Sequence, residues 1–201
     1  MADGPERSGK AAGGQLEERV DLTGETDAKL EQSATLAKGG QLKEALALLA
    51  ALEKRCRVGN DTPNLVRVCE ASLQLCKDAG DEELLITTLQ TLSTRRSQKT
   101  QAVRALVQKS MPWCVTEQFT PLKVSTPEEK VARDKLVDNL REISDGKIFL
   151  EGERARLTRC MAIIKVNSWL LSVYNISSEN SCFIGILLLL AHCLKRAGRR
   201  G

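Results

Sequence analysis

The sequence predicts an all-α fold, a right-handed superhelical solenoid of antiparallel helix pairs behind a disordered N-terminus. Three observations predict it. Aromatic residues are 3% of the 201 residues, and Leu and Ala carry most of the apolar content, a composition that suits helix-on-helix packing better than a sheet core. Apolar residues recur at the helical period of about 3.6 through most of the chain. The pattern also repeats. Gly40 aligns with Gly80, Leu46 with Ile86, Leu49 with Leu89 and Leu52 with Leu92. A spacing of forty is that of TPR-like helix–turn–helix repeats, units with two apolar faces that must stack on neighbours.

Residues 1–26 are rich in Gly, small and charged residues without apolar periodicity and are expected to form the disordered tail. From about Asp27, Leu30, Ala34 and Ala37 make a first stripe up to the Gly39-Gly40 break. Leu42, Ala45, Leu46, Leu49, Leu52 and Cys56 make the second. Thr62 before Pro63 reads as an N-cap with proline at the first helical position. Leu65, Val68, Cys69, Leu75 and Cys76 follow, ending near Gly80. Asp81, Glu82 and Glu83 put negative charge at a new helix start, where the helix dipole favours it. Leu85, Leu89 and Leu92 form that helix's buried edge.

Residues 94–111 read as one basic amphipathic helix, with Val103, Leu106 and Val107 inward and Arg95, Arg96, Lys99, Arg104 and Lys109 mostly outward. Such a face is either simply solvated or a contact strip for an acidic partner or RNA. Residues 112–126 read as a loop in which Trp113 or Phe119 covers the end of the stack. Thr126-Pro127-Glu128-Glu129 is a capping box with proline at the first helical position. Ala132, Leu136, Leu140 and Ile143 carry that helix to Gly146, suited to a left-handed cap. The last clear helix runs from Lys147 to Lys165 on Leu150, Leu157, Cys160, Met161 and Ile164. On it, Glu151 with Arg154 and Glu153 with Arg156 have the spacing of ion pairs.

Residues 166–201 change character. A Ser/Asn-rich stretch leads into the apolar run Cys182–Cys193 and a basic end. The run is shorter than the roughly 20 residues that span a membrane. This segment is expected to be an aberrant end, such as translated intron or an alternative exon. Asn175-Ile176-Ser177 matches a glycosylation acceptor by chance, and His192 beside Cys193 is incidental.

The net charge of +4 does not by itself imply nucleic acid. The seven Cys form no Cys-x-x-Cys pair, and there is one His, so no metal site is expected. An odd cysteine count without a signal peptide fits a reducing compartment. Glu151 and Glu153 stand two apart and point to different sides of a helix, so they do not form a catalytic pair. No enzyme activity and no cofactor are expected.

Three segments, LAKGGQLKEALALLAALEK (Leu36–Lys54), LSTRRSQKTQAVRALVQ (Leu92–Gln108) and ISDGKIFLEGERARLTRCMAIIK (Ile143–Lys165), resemble the N-terminal region of the PCI-type non-ATPase subunits of the proteasome regulatory lid. The third is the most specific, since order and spacing agree over more than twenty positions. The resemblance implies an all-helical, non-catalytic scaffold supporting ubiquitin-dependent protein degradation in cytoplasm and nucleus, with other lid subunits as partners and no small-molecule substrate. Arg95, Arg96, Lys99, Arg104, Arg154, Arg156 and Arg159 are the candidate partner contacts. Related scaffolds occur in the COP9 signalosome and a translation initiation factor complex, and an RNA-binding helical repeat using the basic face is the reading from another class. Against the family, two departures are expected: no C-terminal PCI module, and a similarity that ends at Lys165. Membrane binding is not expected.

Overall fold

The structure is a computed structural model, and it describes residues 20–177. Seven α-helices run in order: α1 (Thr23–Lys38), α2 (Leu42–Val58), α3 (Thr62–Asp78), α4 (Glu82–Thr94), α5 (Thr100–Ser110), α6 (Pro127–Ser144) and α7 (Glu151–Ser177). Short 3₁₀ turns at Met111–Trp113 and Ile148–Leu150 follow α5 and precede α7. No strand occurs among the described residues; the loop before α6 carries one isolated bridge, Val115 to Pro121.

The first four helices are joined by three-residue turns, which force antiparallel neighbours. The turns share one device at a spacing of twenty. Gly40, Asn60 and Gly80 all take left-handed backbone, with φ of 80°, 55° and 70°. At the first, Gln41 N–H returns to Leu36 O at 2.9 Å, and at the second Asp61 N–H returns to Cys56 O at 2.9 Å. These bonds satisfy carbonyls that a helix end leaves open. Glycine meets the positive φ without strain, and asparagine tolerates it. The forty-residue repeat is therefore a helix pair, each helix with its turn taking twenty residues.

Each helix packs on its chain neighbour, and α1, α3 and α5 also pack on one another in sequence, as do α4 and α6. This is the stacking of a helical solenoid. The core comprises most of the expected stripes: Leu49, Leu52 and Cys56 of α2, Leu65, Val68, Cys69 and Cys76 of α3, where Leu73 is fully buried and the expected Leu75 only partly, Leu85, Leu89 and Leu92 of α4, Leu136, Leu140 and Ile143 of α6, and Leu150, Leu157, Cys160, Met161 and Ile164. Each fully buried leucine contributes about 1.5–3 kcal/mol of transfer free energy. Trp113 and Phe119 both pack partly buried against this core.

Several elements differ from the sequence reading. Helix α1 begins at Thr23, not Asp27, because tertiary partners hold its start. Leu22 is buried, its N–H donates to Asp61 Oδ2 at 3.0 Å, and Val20 N–H donates to Gly59 O at 3.0 Å. Its inner face is Thr26, Leu30, Ser33 and Ala37, with Ala34 turned out. The N-cap position of α3 is Asp61 and not Thr62, which is the first helical residue, and no side-chain cap bond is made there. The expected single helix over 94–111 is shorter: α4 ends at Thr94 and α5 covers only Thr100–Ser110. Residues 95–99 leave helical geometry, with Ser97 at φ 61°. Helix α7 begins at Glu151, not Lys147, and passes through Lys165 without a break to Ser177, the last described residue. No Gly or Pro follows Gly152 on it. The apolar run Cys182–Cys193, His192 and the basic end lie outside the described residues.

Other starts and stops follow the sequence signals. Asp81 caps α4, accepting from Leu84 N–H at 2.9 Å. At α6, Thr126 Oγ1 accepts from Glu129 N–H at 3.2 Å and Glu129 Oε2 accepts from Thr126 N–H at 3.3 Å, the reciprocal capping box. Gly146 has φ 66° after α6.

Candidate interaction surface

The polar centre of the molecule is a residue the sequence reading missed. Glu53 sits beside Leu52 on α2 and is 1% exposed. Its carboxylate accepts from Arg57 Nε at 3.2 Å, Arg95 Nη1 at 2.7 Å and Gln98 Nε2 at 3.1 Å. Gln98 Nε2 also donates to Leu92 O at 2.8 Å, and Arg57 Nη1 to Arg96 O at 2.7 Å. Burying a carboxylate is costly unless charge and hydrogen bonds compensate it; here two guanidinium groups and an amide do so. The network pins residues 95–99 to α2, which breaks the expected long helix. A signal was present: a glutamate next to a stripe leucine, with an arginine four residues on. Its repeat counterpart, Ser93, is also buried.

Of the seven candidate contact residues, four are engaged within the chain. Arg95 binds Glu53. Arg104 Nη2 donates to Phe149 O at 2.7 Å, and Gln108 Nε2 beside it donates to Glu153 Oε1 at 2.7 Å, tying α5 to the start of α7. Arg154 pairs with Asp145 at 2.7 Å rather than with Glu151. Arg156 lies over the Phe119 ring, 4.8 Å from its centroid, rather than on Glu153; this is cation–π geometry. Tertiary neighbours thus displace both expected i,i+3 pairs. Arg96 and Arg159 are exposed and Lys99 half-buried. The seven do not form one strip: Arg95, Arg96 and Lys99 share a loop, Arg104 stands on α5, and the other three lie on α7.

A groove opens between α4 and α6. Its inner part, about 330 Å³, is lined by Leu85, Ile86, Trp113 and Leu136 with the cations Lys77, Lys123 and Arg133 and the carboxylates of Glu82 and Glu129. Its outer part, about 450 Å³, is lined by Ile86, Pro127, Val131 and Ala132, with Glu82, Glu83 and Glu128 at the edge.

Cys56, Cys69, Cys76, Cys114 and Cys160 are buried free thiols. Burial pushes Cys69 and Cys114 up to about 12 and Cys160 up to about 11. They act as small apolar residues. Among the described residues, no group of three or more His, Cys, Asp or Glu could hold a metal ion, and no helix is long and apolar enough to cross a membrane.

Residues 44–169, which take in nearly all of α2 and everything to the middle of α7, match the family described as PSMD12/CSN4, N-terminal. The chain is 40% identical over 145 residues to the 26S proteasome non-ATPase regulatory subunit 12 of Dictyostelium discoideum, covering 72% of this chain and 30% of that protein. It is 34% identical over 130 residues to homolog A of that subunit in Arabidopsis thaliana, covering 65% and 27%. It is 28% identical over 121 residues to the regulatory subunit RPN5 of Saccharomyces cerevisiae, covering 60% and 25%. The chain thus spans less than a third of the length of these relatives. With its stacked helix pairs and the match running from α2 into α7, the chain belongs to the PSMD12/CSN4 family and carries that family's N-terminal helical region.

Proposed function

We propose that this chain is a non-catalytic scaffold segment of the proteasome regulatory-particle lid, serving ubiquitin-dependent protein degradation through contacts with other lid subunits in cytoplasm and nucleus. The observation that carries the reading is the family match over residues 44–169, whose relatives are named as 26S proteasome regulatory subunits. The side chains divide the work in a way that suits a scaffold. Arg95, Arg104, Arg154 and Arg156 fix loops and helix ends, while Arg96 and Arg159 point into solvent and make the partner contacts. The basic face proposed for RNA is weaker support for that alternative, because two of its cations are engaged by Glu53 and Phe149.

The test is native purification of the tagged full chain from cells, with lid subunits quantified by mass spectrometry. Co-purification in fixed ratio, reduced at least tenfold by Arg96→Glu with Arg159→Glu while thermal stability stays unchanged, is the expected result. Recovery without any lid subunit overturns the proposal.

A further inference from the structure

The groove between α4 and α6 has a polarity that the fold does not use. Its outer part is lined on the apolar side by Ile86, Pro127, Val131 and Ala132. Ile86 and Ala132 are half-buried, and Val131 is 54% exposed. Two adjacent helices thus hold an aliphatic trough open to water. A groove of this kind receives an amphipathic helix through apolar anchors at i, i+3, i+4 and i+7.

Charge distinguishes the two ends of the trough. At the inner end, charged groups are engaged within the chain. Arg133 Nη2 donates to Asp134 Oδ1 at 2.6 Å, and Arg133 Nη1 to Leu122 O at 2.6 Å. Lys77 lies within electrostatic reach of Glu129, whose carboxylate caps α6. At the outer end stand Glu82, Glu83 and Glu128, with Lys135 as the cation among the lining residues. Among the described residues, none of these three carboxylates has an ion-pair or hydrogen-bond partner. Glu82 and Glu83 lie in the first turn of α4 and Glu128 in that of α6, where the helix dipole favours them. The dipole does not require that the first turns of two helices bring their carboxylates to one apolar trough.

We infer that this groove docks an amphipathic helical segment of another protein, its aliphatic anchors on Ile86, Val131 and Ala132 and its Lys or Arg side chains against Glu82, Glu83 and Glu128. The occupant is basic because the outer carboxylates lack a counter-charge and the inner cations already have theirs. Such rim charges set orientation and association rate more than affinity, so the basic end of the segment lies at the N-terminal ends of α4 and α6. The surface is separate from the exposed arginines: Arg96 follows the far end of α4, and Arg159 lies on α7.

Fluorescence anisotropy on the purified full chain tests this. The probe is a labelled amphipathic helical peptide with leucines at i, i+4 and i+7 and flanking lysines. Saturable binding is expected, weakened about tenfold when salt rises from about 0.05 to about 0.5 M. The same peptide with glutamates for lysines should bind about tenfold more weakly. Glu83→Lys with Glu128→Lys should weaken the lysine peptide to a similar degree, as should Val131→Asp. All three positions are exposed, so the helices should be retained, which circular dichroism checks. Arg96→Glu with Arg159→Glu should leave binding unchanged, which keeps this result apart from the lid contacts. Benzoylphenylalanine in place of Val131 should cross-link the peptide on irradiation. No saturable binding, equal affinity for the glutamate peptide, or equal binding by Val131→Asp overturns the inference. So does a cross-link from position 131 that stays within the chain or joins two copies with peptide in excess, since the groove then has another occupant.

Discussion

Replacing Glu53 with Ala tests the packing logic of the fold at its most demanding point. The substitution removes one carboxylate and leaves Arg57, Arg95 and Gln98 facing one another without their shared acceptor. Breaking a buried ion pair by removing one partner costs about 3–5 kcal/mol. The Arg95 and Arg57 side chains are 26% and 16% exposed, so water reaches part of the vacated site and the loss should fall near the lower end, about 3 kcal/mol. Glu53→Gln keeps the shape and one acceptor oxygen and should cost less, about 1–2 kcal/mol. Urea unfolding with linear extrapolation measures both. A double-mutant cycle with Arg95→Ala should give a coupling of about 1–3 kcal/mol. Because the network holds residues 95–99, amide exchange should rise at Arg96–Lys99 before it rises in α2. A loss below about 1 kcal/mol for Glu53→Ala, or no coupling to Arg95, would refute the view that this carboxylate fixes the α4–α5 junction.

Further tests concern separate elements. Leu157→Asp places an unpaired charge in a fully buried position and should lose several kcal/mol, whereas Arg159→Ala on the exposed side should lose under about 0.5 kcal/mol; thermal unfolding of the pair measures the difference, and similar shifts would put the wrong face of α7 inward. Cys69 and Cys114, held at about 12, should resist iodoacetamide at pH 8 until urea unfolds the chain, as peptide mapping can show; rapid labelling in native buffer would contradict their burial. Backbone N–H groups of Thr126 and Ser125 lower the Glu129 pKa. A depressed folded value means that this cap stabilises α6 above the ordinary glutamate pKa and is lost as pH falls through the lowered one, so amide exchange at the start of α6, compared with Glu129→Gln, should converge with that variant only in acid. Gly80→Ala should cost about 1–2 kcal/mol in urea unfolding from its left-handed φ alone, since no atom lies within 4 Å of the added methyl.

The sequence by itself determined the all-α class, most of the helices and most of their buried edges. Those depend on local rules: a 3.6-residue period, a proline at a helix start, a glycine at a left-handed position, a reciprocal Thr–Glu cap. The capping box at Thr126, the left-handed Gly146, and the Leu49–Leu52 and Leu89–Leu92 edges were all legible for that reason, and the family likeness lay in the same segments. Tertiary structure alone decided where α1 begins, why residues 95–99 are not helical, and which arginines reach solvent. Each of those depends on a group forty or so residues away in the chain: Asp61 for Leu22, Glu53 for Arg95, Phe149 for Arg104. An arginine's position on a helical wheel says which way it leaves the backbone. It does not say whether a carboxylate or carbonyl from the next repeat is waiting there, because the desolvation and pairing that settle its place exist only once the repeats have stacked.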